Sequence, residues 1–332
     1  MRTELPCYPW QAAQWSQLRT QISDNRLAHA FLLAGPAGMG KTEFATALAQ
    51  ALLCKAAGEA GACGACRSCQ LYAAGNHPDL HCIGLEGESR SVRVDAVRGL
   101  AEFILLSSQF GGRRVGIIQN ADRMNRNAAN SLLKTLEEPP ESAILILIAD
   151  HPARLPATVR SRCQRLDFQV PDGQQAMEYL QRDLDLPPER LARLLVLGGG
   201  APGRVRGLAE QNADTAHDKL VGQLAAIAQG RQSTVQAASE WDRSSNALLL
   251  ELLTVTTQNL IRQKVSSTTT VHPVTQFEEL CRNLDIMQLH AYLDFLYSLS
   301  GLADRSLNPE LFAEDLFIRW RAVCAREPLV ID

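Results

Sequence analysis

The sequence predicts an α/β protein: a phosphate-loop domain built on a parallel sheet with a metal-binding insert, then a small helical domain and an all-α C-terminal domain. Three observations carry that prediction. A glycine-rich loop, Gly35-Pro36-Ala37-Gly38-Met39-Gly40-Lys41-Thr42, lies between the apolar run Ala30 to Ala34 and a helical pattern from Phe44 to Leu53. Short apolar strands then alternate with helical stretches as far as Asp167, and beyond it the periodic segments read as helix. Such alternation implies parallel strands joined by helical crossovers, with the loop at the strand carboxyl ends.

Taken in order, Trp10, Leu18 and Ile22 recur at helical spacing and predict a first helix over 10 to 24. The strand His29 to Ala34 leads into the loop. After a Gly/Ala-rich insert, Leu80 to Leu85 reads as a short strand, and Val92 to Leu106 as a helix with Val97, Leu100 and Ile104 inward. Val115-Gly-Ile-Ile118 is the next strand. The helix Asn127 to Glu138 places Ala128, Leu132, Leu133 and Leu136 on one side and stops at Pro139-Pro140, because proline lacks the N–H that would continue it. The uninterrupted apolar run Ile144 to Ile148 is a strand buried on both faces.

The first domain thus spans 1–168. A small helical domain, 169–209, is expected to hold helices near 174–183 and 188–197 and to close at Gly198-Gly-Gly200. The third domain, 210–332, is read as helices over Asp218 to Ala228, Ala247 to Gln263 and Ile286 to Leu299, with a last one capped at Asn308 and Pro309 at its first position. The Ser/Thr-rich stretch Val265 to Thr275 reads as a mobile link.

The loop carries chemistry in each of its residue types. Gly35, Gly38 and Gly40 let the backbone turn N–H groups toward phosphate oxygens, Lys41 brings a point charge to the outer phosphates, and Thr42 offers a hydroxyl to Mg²⁺. Hydrolysis needs more: a second strand that ends in an acid for the metal and a residue that orients the attacking water. The strand at Val115 runs instead into Gln119 and Asn120. Neither amide carries the charge, and Asp122, three residues past the expected metal acid, reads as the start of the next helix, where an acid favours the dipole. The expectation is nucleotide binding, ATP or ADP, without efficient hydrolysis.

With 332 residues and 46% hydrophobic content, the chain can bury a full core in two or three domains. A net charge of -3 excludes a global electrostatic pull toward nucleic acid, and there is neither a long uncharged apolar run nor a signal-peptide core at the N-terminus, so a soluble cytoplasmic protein is expected. Of nine cysteines, Cys54, Cys63, Cys66 and Cys69 cluster in the insert. In a reducing compartment that spacing points to one structural Zn²⁺ held by four thiolates. His77 and His81 read as ordinary loop histidines, and Cys7, Cys82, Cys163, Cys281 and Cys324 as buried small hydrophobes.

Four segments together carry a resemblance: His29-Ala-Phe-Leu-Leu before the loop, the four-cysteine insert, Asn130-Ser-Leu-Leu-Lys-Thr-Leu-Glu-Glu-Pro-Pro140, and Leu155-Pro-Ala-Thr-Val-Arg-Ser161-Arg162-Cys163. They resemble bacterial clamp loader subunits of the AAA+ superfamily. The opening Tyr8-Pro-Trp10, the amides Gln119 and Asn120, and the turn Gly200-Ala-Pro-Gly203-Arg204 resemble the delta prime family rather than the ATP-hydrolysing gamma/tau one.

The resemblance implies an AAA+ domain, a helical lid and a C-terminal collar that joins gamma/tau and delta subunits in a hetero-pentamer. That assembly loads a sliding clamp on primed DNA. Carried over residue by residue, Arg162 becomes an arginine finger for a neighbouring subunit's ATP, and Arg204, with Arg206, a candidate to approach phosphates from the lid. The position that senses the γ-phosphate in relatives falls at Ala149 or Asp150, and neither is the expected Thr. Arg90, Arg93, Arg98, Arg113, Arg114, Arg123 and Arg126 are candidates to track DNA or, more simply, a solvated surface, and Lys134, Glu137 and Glu138 read as solvated or interfacial.

Overall fold

A computed structural model describes residues 7–85, 87, 89, 91–241, 246–265, 284–299 and 308–326. Its contacts divide the chain into two compact units, Met1–Ala176 and Met177–Asp332.

The first unit is built on five parallel strands, β1 (Ala30–Ala34), β2 (Leu80–Ile83), β3 (Arg114–Ile118), β4 (Ala143–Ala149) and β5 (Gln164–Asp167), in the order β2-β3-β4-β1-β5. Every residue of β1, β3 and β4 is buried, as expected of strands covered on both faces. Alternation then sorts the side chains. Ala30, Leu32 and Ala34 join Leu145 and Leu147 in a core with Val97, Leu100 and Ile104 of α4 (Val94–Leu105) and Ala128, Leu132 and Leu136 of α5 (Arg126–Glu137). The intervening Phe31 and Leu33 face the other way, where α2 (Lys41–Leu53) packs with Phe44 and Leu48 buried. Gly116 lies tight against the α4 side: a Cβ there would stand 3.0 Å from both Leu100 and Leu145.

Smaller elements complete the unit: α1 (Ala12–Ser23), α3 (Arg67–Ala73) and α6 (Ala157–Arg160). At the edge strand, Asp79 and Arg114 form a buried ion pair at 3.5 Å. Burial would raise the Asp79 carboxyl, but N–H bonds from Gln109 and Phe110, the Ser108 hydroxyl and the guanidinium outweigh it and hold the group below its ordinary value. Arg114 also lies over the Phe103 ring and donates to its carbonyl at 2.8 Å, so a residue read from sequence as a surface cation is a core residue.

The second unit is helical. α7 (Gly173–Asp183) crosses the boundary, and α8 (Pro188–Leu197), α9 (Pro202–Glu210), α10 (Ala213–Ala228), α11 (Thr234–Ser239), α12 (Asn246–Val265), α13 (Ile286–Ser298) and α14 (Pro309–Ala325) follow. Its core is fixed by aromatic groups with satisfied polar tips: Trp320 donates to the Leu224 carbonyl at 3.0 Å and Tyr292 to that of Leu316 at 3.0 Å. Asn308 caps α14 through the N–H groups of Glu310 and Leu311, with Pro309 at the first position as expected.

Several expectations shift. The first helix starts at Ala12, because Pro9 opens a 3-10 turn over Pro9–Gln11. Helix α10 begins at Ala213, five residues before the expected Asp218; its polar start is buried because Arg190 pairs with Asp214 at 2.9 Å. The Gly200 to Arg204 segment is less a turn than a helix start, with Pro202 as the first residue of α9. Asp122 lies in a separate 3-10 turn, Ala121–Arg123, and α5 has its own cap in Asn125, which accepts from Ala128 at 2.9 Å. Beyond Val265 the predicted link falls outside the described residues, as do Arg90 and Cys281.

Candidate functional site

Parallel strands bring all their carboxyl ends to one edge, and the glycine-rich loop leaves β1 there. Gly35, Gly38 and Gly40 all have positive φ, at 152°, 79° and 76°. Two are required by close approach as well: a Cβ on Gly35 would stand 2.1 Å from the Phe168 carbonyl oxygen, and one on Gly40 2.2 Å from the Tyr8 ring. Pro36 and Ala37 are exposed, Met39 is fully buried, and Thr42 stands exposed in the first turn of α2. The N-terminal segment closes over the loop: Trp10 Nε1 donates to the Met39 carbonyl at 3.1 Å, and Gln11 Nε2 to those of Met39 and Gly40 at 3.0 and 2.9 Å. Tyr8 and Trp10 stack with centroids 5.0 Å apart. These conformations fit a phosphate cradle at a helix N-terminus.

Lys41 is 3% exposed, and its Nζ meets three oxygens: the Gly35 carbonyl at 2.7 Å, the Pro36 carbonyl at 2.6 Å and Asp150 Oδ1 at 2.7 Å. Asp150 follows the last residue of β4 directly. By the resemblance the phosphate-sensing position falls at Ala149 or Asp150, and nothing in the sequence signals that Asp150 pairs with the loop lysine. At the end of β3, Gln119 and Asn120 form the turn, with Asn120 left-handed at φ 50°. The Asp122 carboxylate accepts the His151 N–H at 3.1 Å, which ties it to the residue after Asp150.

Arg162 lies between α6 and β5. Its guanidinium donates to the Thr158 carbonyl at 2.9 Å and pairs with Glu137 at 2.7 Å, and the side chain remains 35% exposed. Glu137, read from sequence as solvated or interfacial, is therefore the in-chain partner of the predicted finger. Arg204 is on α9 in the second unit and forms an ion pair with Glu251 of α12; Arg206 pairs with Asp183 at 2.9 Å. Arg93, Arg98, Arg123 and Arg126 are exposed, and Arg113 is half-buried.

The four clustered cysteines come together as the spacing predicts, with all sulfurs within 4.8 Å of one another. Four thiolates about 2.3 Å from a central Zn²⁺ stand about 3.8 Å apart, and Cys54–Cys66 and Cys63–Cys69 are at 3.9 and 4.0 Å. N–H groups point at the sulfurs, from Cys63 to Cys54 at 3.3 Å and from Cys66 to Cys63 at 3.4 Å. At Cys66 burial disfavours the thiolate, yet N–H donors from Cys69 and Lys55 outweigh it and bring the thiol down to about 6. The set can hold a zinc ion.

His77 stays outside this set. It lies in the loop between α3 and β2, as expected, but is buried there and bonded to the Ser68 hydroxyl at 2.8 Å, while His81 lies on β2 against Phe103. Of the single cysteines Cys163 is buried, Cys7 and Cys324 are half-buried, and Cys82 is exposed on the edge strand, contrary to the expectation for it. No described helix is long and apolar enough to cross a membrane.

Comparison with known sequences places this arrangement among replication proteins. Residues 10–172 match the family described as "DNA polymerase III, delta subunit". DNA polymerase III subunit delta' of Pseudomonas aeruginosa is 39% identical, over 95% of this chain and 98% of its own length. The same subunit of Escherichia coli K12 is 32% identical, over 94% of each chain. Subunit tau/gamma of Haemophilus influenzae is 33% identical, over 57% of this chain and 27% of its own.

Proposed function

Because this chain belongs to the DNA polymerase III subunit delta' family, we propose that it is the stationary member of a clamp loader, binding nucleotide without splitting it and presenting Arg162 to an adjoining subunit's ATP. The observation that carries this reading is the end of β3, where Gln119 and Asn120 stand in place of the metal acid and the water-orienting residue. Neutral amides bind Mg²⁺ weakly and abstract no proton. The loop would keep its binding role through its backbone N–H groups and the N-terminus of α2, with Thr42 as the residue available to a metal.

Arg162 suits a task outside its own chain. A guanidinium is always charged and offers a fork of donors to the oxygens of a transferring phosphoryl group. Developing charge in that transition state is where a preorganised cation acts most strongly. Supplied from a neighbour, such an arginine raises turnover by about 10³ to 10⁵.

The partners under this reading are gamma/tau and delta subunits in a hetero-pentamer, with the sliding clamp and primed DNA met within the assembly. Residues 1–168 serve as the AAA+ domain, 169–209 as the lid and 210–332 as the collar, and Zn²⁺ on the four cysteines is structural, since a closed sulfur set leaves no open position for catalysis. The pairing of Arg204 with Glu251 favours a role in joining α9 to α12 over contact with nucleotide.

The competing reading is a gamma/tau-type motor, favoured by the likeness to tau/gamma over 57% of the chain. Steady-state ATP hydrolysis by the purified chain separates the two. Turnover at background level is expected, and Mg²⁺-dependent turnover by the isolated chain, lost in Lys41→Ala, overturns the stationary role.

A further inference from the structure

We propose that Asp150 makes the Gly35–Thr42 loop a receptor for nucleoside diphosphates and sets it against triphosphates, an inference that rests on the reading that this loop binds nucleotide. A lysine ammonium has three N–H donors. In this chain all three have acceptors, and two of those are neutral carbonyls at the start of the loop while the third is the Asp150 carboxylate. With the side chain 3% exposed, an incoming phosphate must displace one of them to reach the charge.

Which acceptor yields decides which nucleotide fits. Asp150 is anchored beside the loop: Ala149 pairs with Ala34 in the β4–β1 register, Gly35 N–H donates to the Ala149 carbonyl at 3.3 Å, and the next residue, His151, is held by Asp122. Its carboxylate therefore stands where the lysine of a phosphate loop would otherwise turn toward the outermost phosphate, and supplies the negative charge that a γ-phosphate would bring. A diphosphate can take the place of the carbonyls and leave the ion pair intact. A triphosphate has to break that pair or set its extra charge against a fixed carboxylate. The usual relief is a metal bridging the β- and γ-phosphates, and at the end of β3 the amides Gln119 and Asn120 supply no charge to recruit one.

The test is equilibrium binding of fluorescently labelled ADP and ATP to the full chain in excess Mg²⁺, repeated by calorimetry with unlabelled nucleotides, for the wild type and Asp150→Asn. The amide keeps the size and the oxygen acceptor but drops the charge. We expect ADP to bind at least about tenfold more tightly than ATP in the wild type, and the ratio to narrow to within roughly threefold in the variant through tighter ATP binding. Equal affinities in the wild type, or a ratio unchanged by the substitution, overturn the selectivity while leaving nucleotide binding in place. ATP binding more tightly than ADP with Mg²⁺, and losing that advantage in Asp150→Asn, overturns it too and makes Asp150 a metal ligand. If neither protein binds either nucleotide, while thermal melting shows both folded, the binding role falls together with the selectivity.

Discussion

Lys41 and Arg162 are cations of the same unit in opposite situations. Lys41 is sealed: 3% exposed, with each N–H donor matched to an oxygen of its own chain. Arg162 is 35% exposed and lightly held, by one carboxylate and one carbonyl. A charge saturated inside the chain contributes to that chain's stability, whereas a partly solvated charge on a short tether can exchange partners at little cost. The cysteine insert belongs with Arg162 in this respect. Its four sulfurs lie within 4.8 Å of one another and gain most from something that comes from outside.

The largest expected effect is on the arginine side of the comparison. Arg162→Ala should lower hydrolysis at the adjoining site by about 10³ in single-turnover measurements on the reconstituted assembly, because the lost charge serves another subunit's transition state. The melting temperature of the isolated chain should barely move. Full activity of the assembly with the variant would break the comparison at its root, since Arg162 would then be an ordinary surface cation.

Next is the metal site. Cys66→Ser replaces a sulfur ligand with a hydroxyl that holds zinc poorly, and zinc per chain should fall from about one to near zero by elemental analysis. The insert between α2 and β2 should become more open to protease, while the sheet, whose core lies elsewhere, stays folded. Full zinc retention in the variant would show that the four sulfurs are not the ligand set.

Lys41→Met sharpens the contrast from the other side. It leaves Asp150 without its counter-charge and two loop carbonyls without a donor. Removing one partner of a fully buried pair costs about 3 to 5 kcal/mol, and the partial exposure of Asp150 lowers the expectation to about 2 kcal/mol. Urea denaturation would read this as a lower midpoint at unchanged slope. A stability equal to that of the wild type would mean that Lys41 is held loosely, as Arg162 is.

How much of this was legible in the sequence follows the same division. The strands β1, β3 and β4 announce themselves as apolar runs because both faces are covered, and the cysteine spacing announces its cluster because the ligands are close in sequence. β5 gave no such signal: in Gln164-Arg-Leu-Asp167 only Leu166 is buried, so its strand character comes from pairing with β1. The same holds for the site. Gln119 and Asn120 could be read as missing acids from their place after an apolar run. The Lys41–Asp150 contact spans more than a hundred residues and depends on β4 lying next to β1, a register that no local pattern encodes. Arg114 was misread for a related reason, since its partner Asp79 belongs to the neighbouring strand's approach and the pair cancels within the core.

The smallest expected effect probes the tether itself. Glu137→Gln keeps an oxygen that can accept from the Arg162 guanidinium but removes the opposing charge. A partly exposed pair of this kind is worth about 0 to 1 kcal/mol, so stability should change by less than about 0.5 kcal/mol at moderate salt. If Glu137 only parks Arg162 between turnovers, the assembly's hydrolysis rate should stay within roughly threefold of wild type, since an amide still orients the fork. A loss as deep as that of Arg162→Ala would mean that the carboxylate is needed to aim the guanidinium at its target. The lightly held cation would then be as firmly positioned as Lys41, and the contrast between the two would rest on which oxygen each one waits for, not on how tightly each is held.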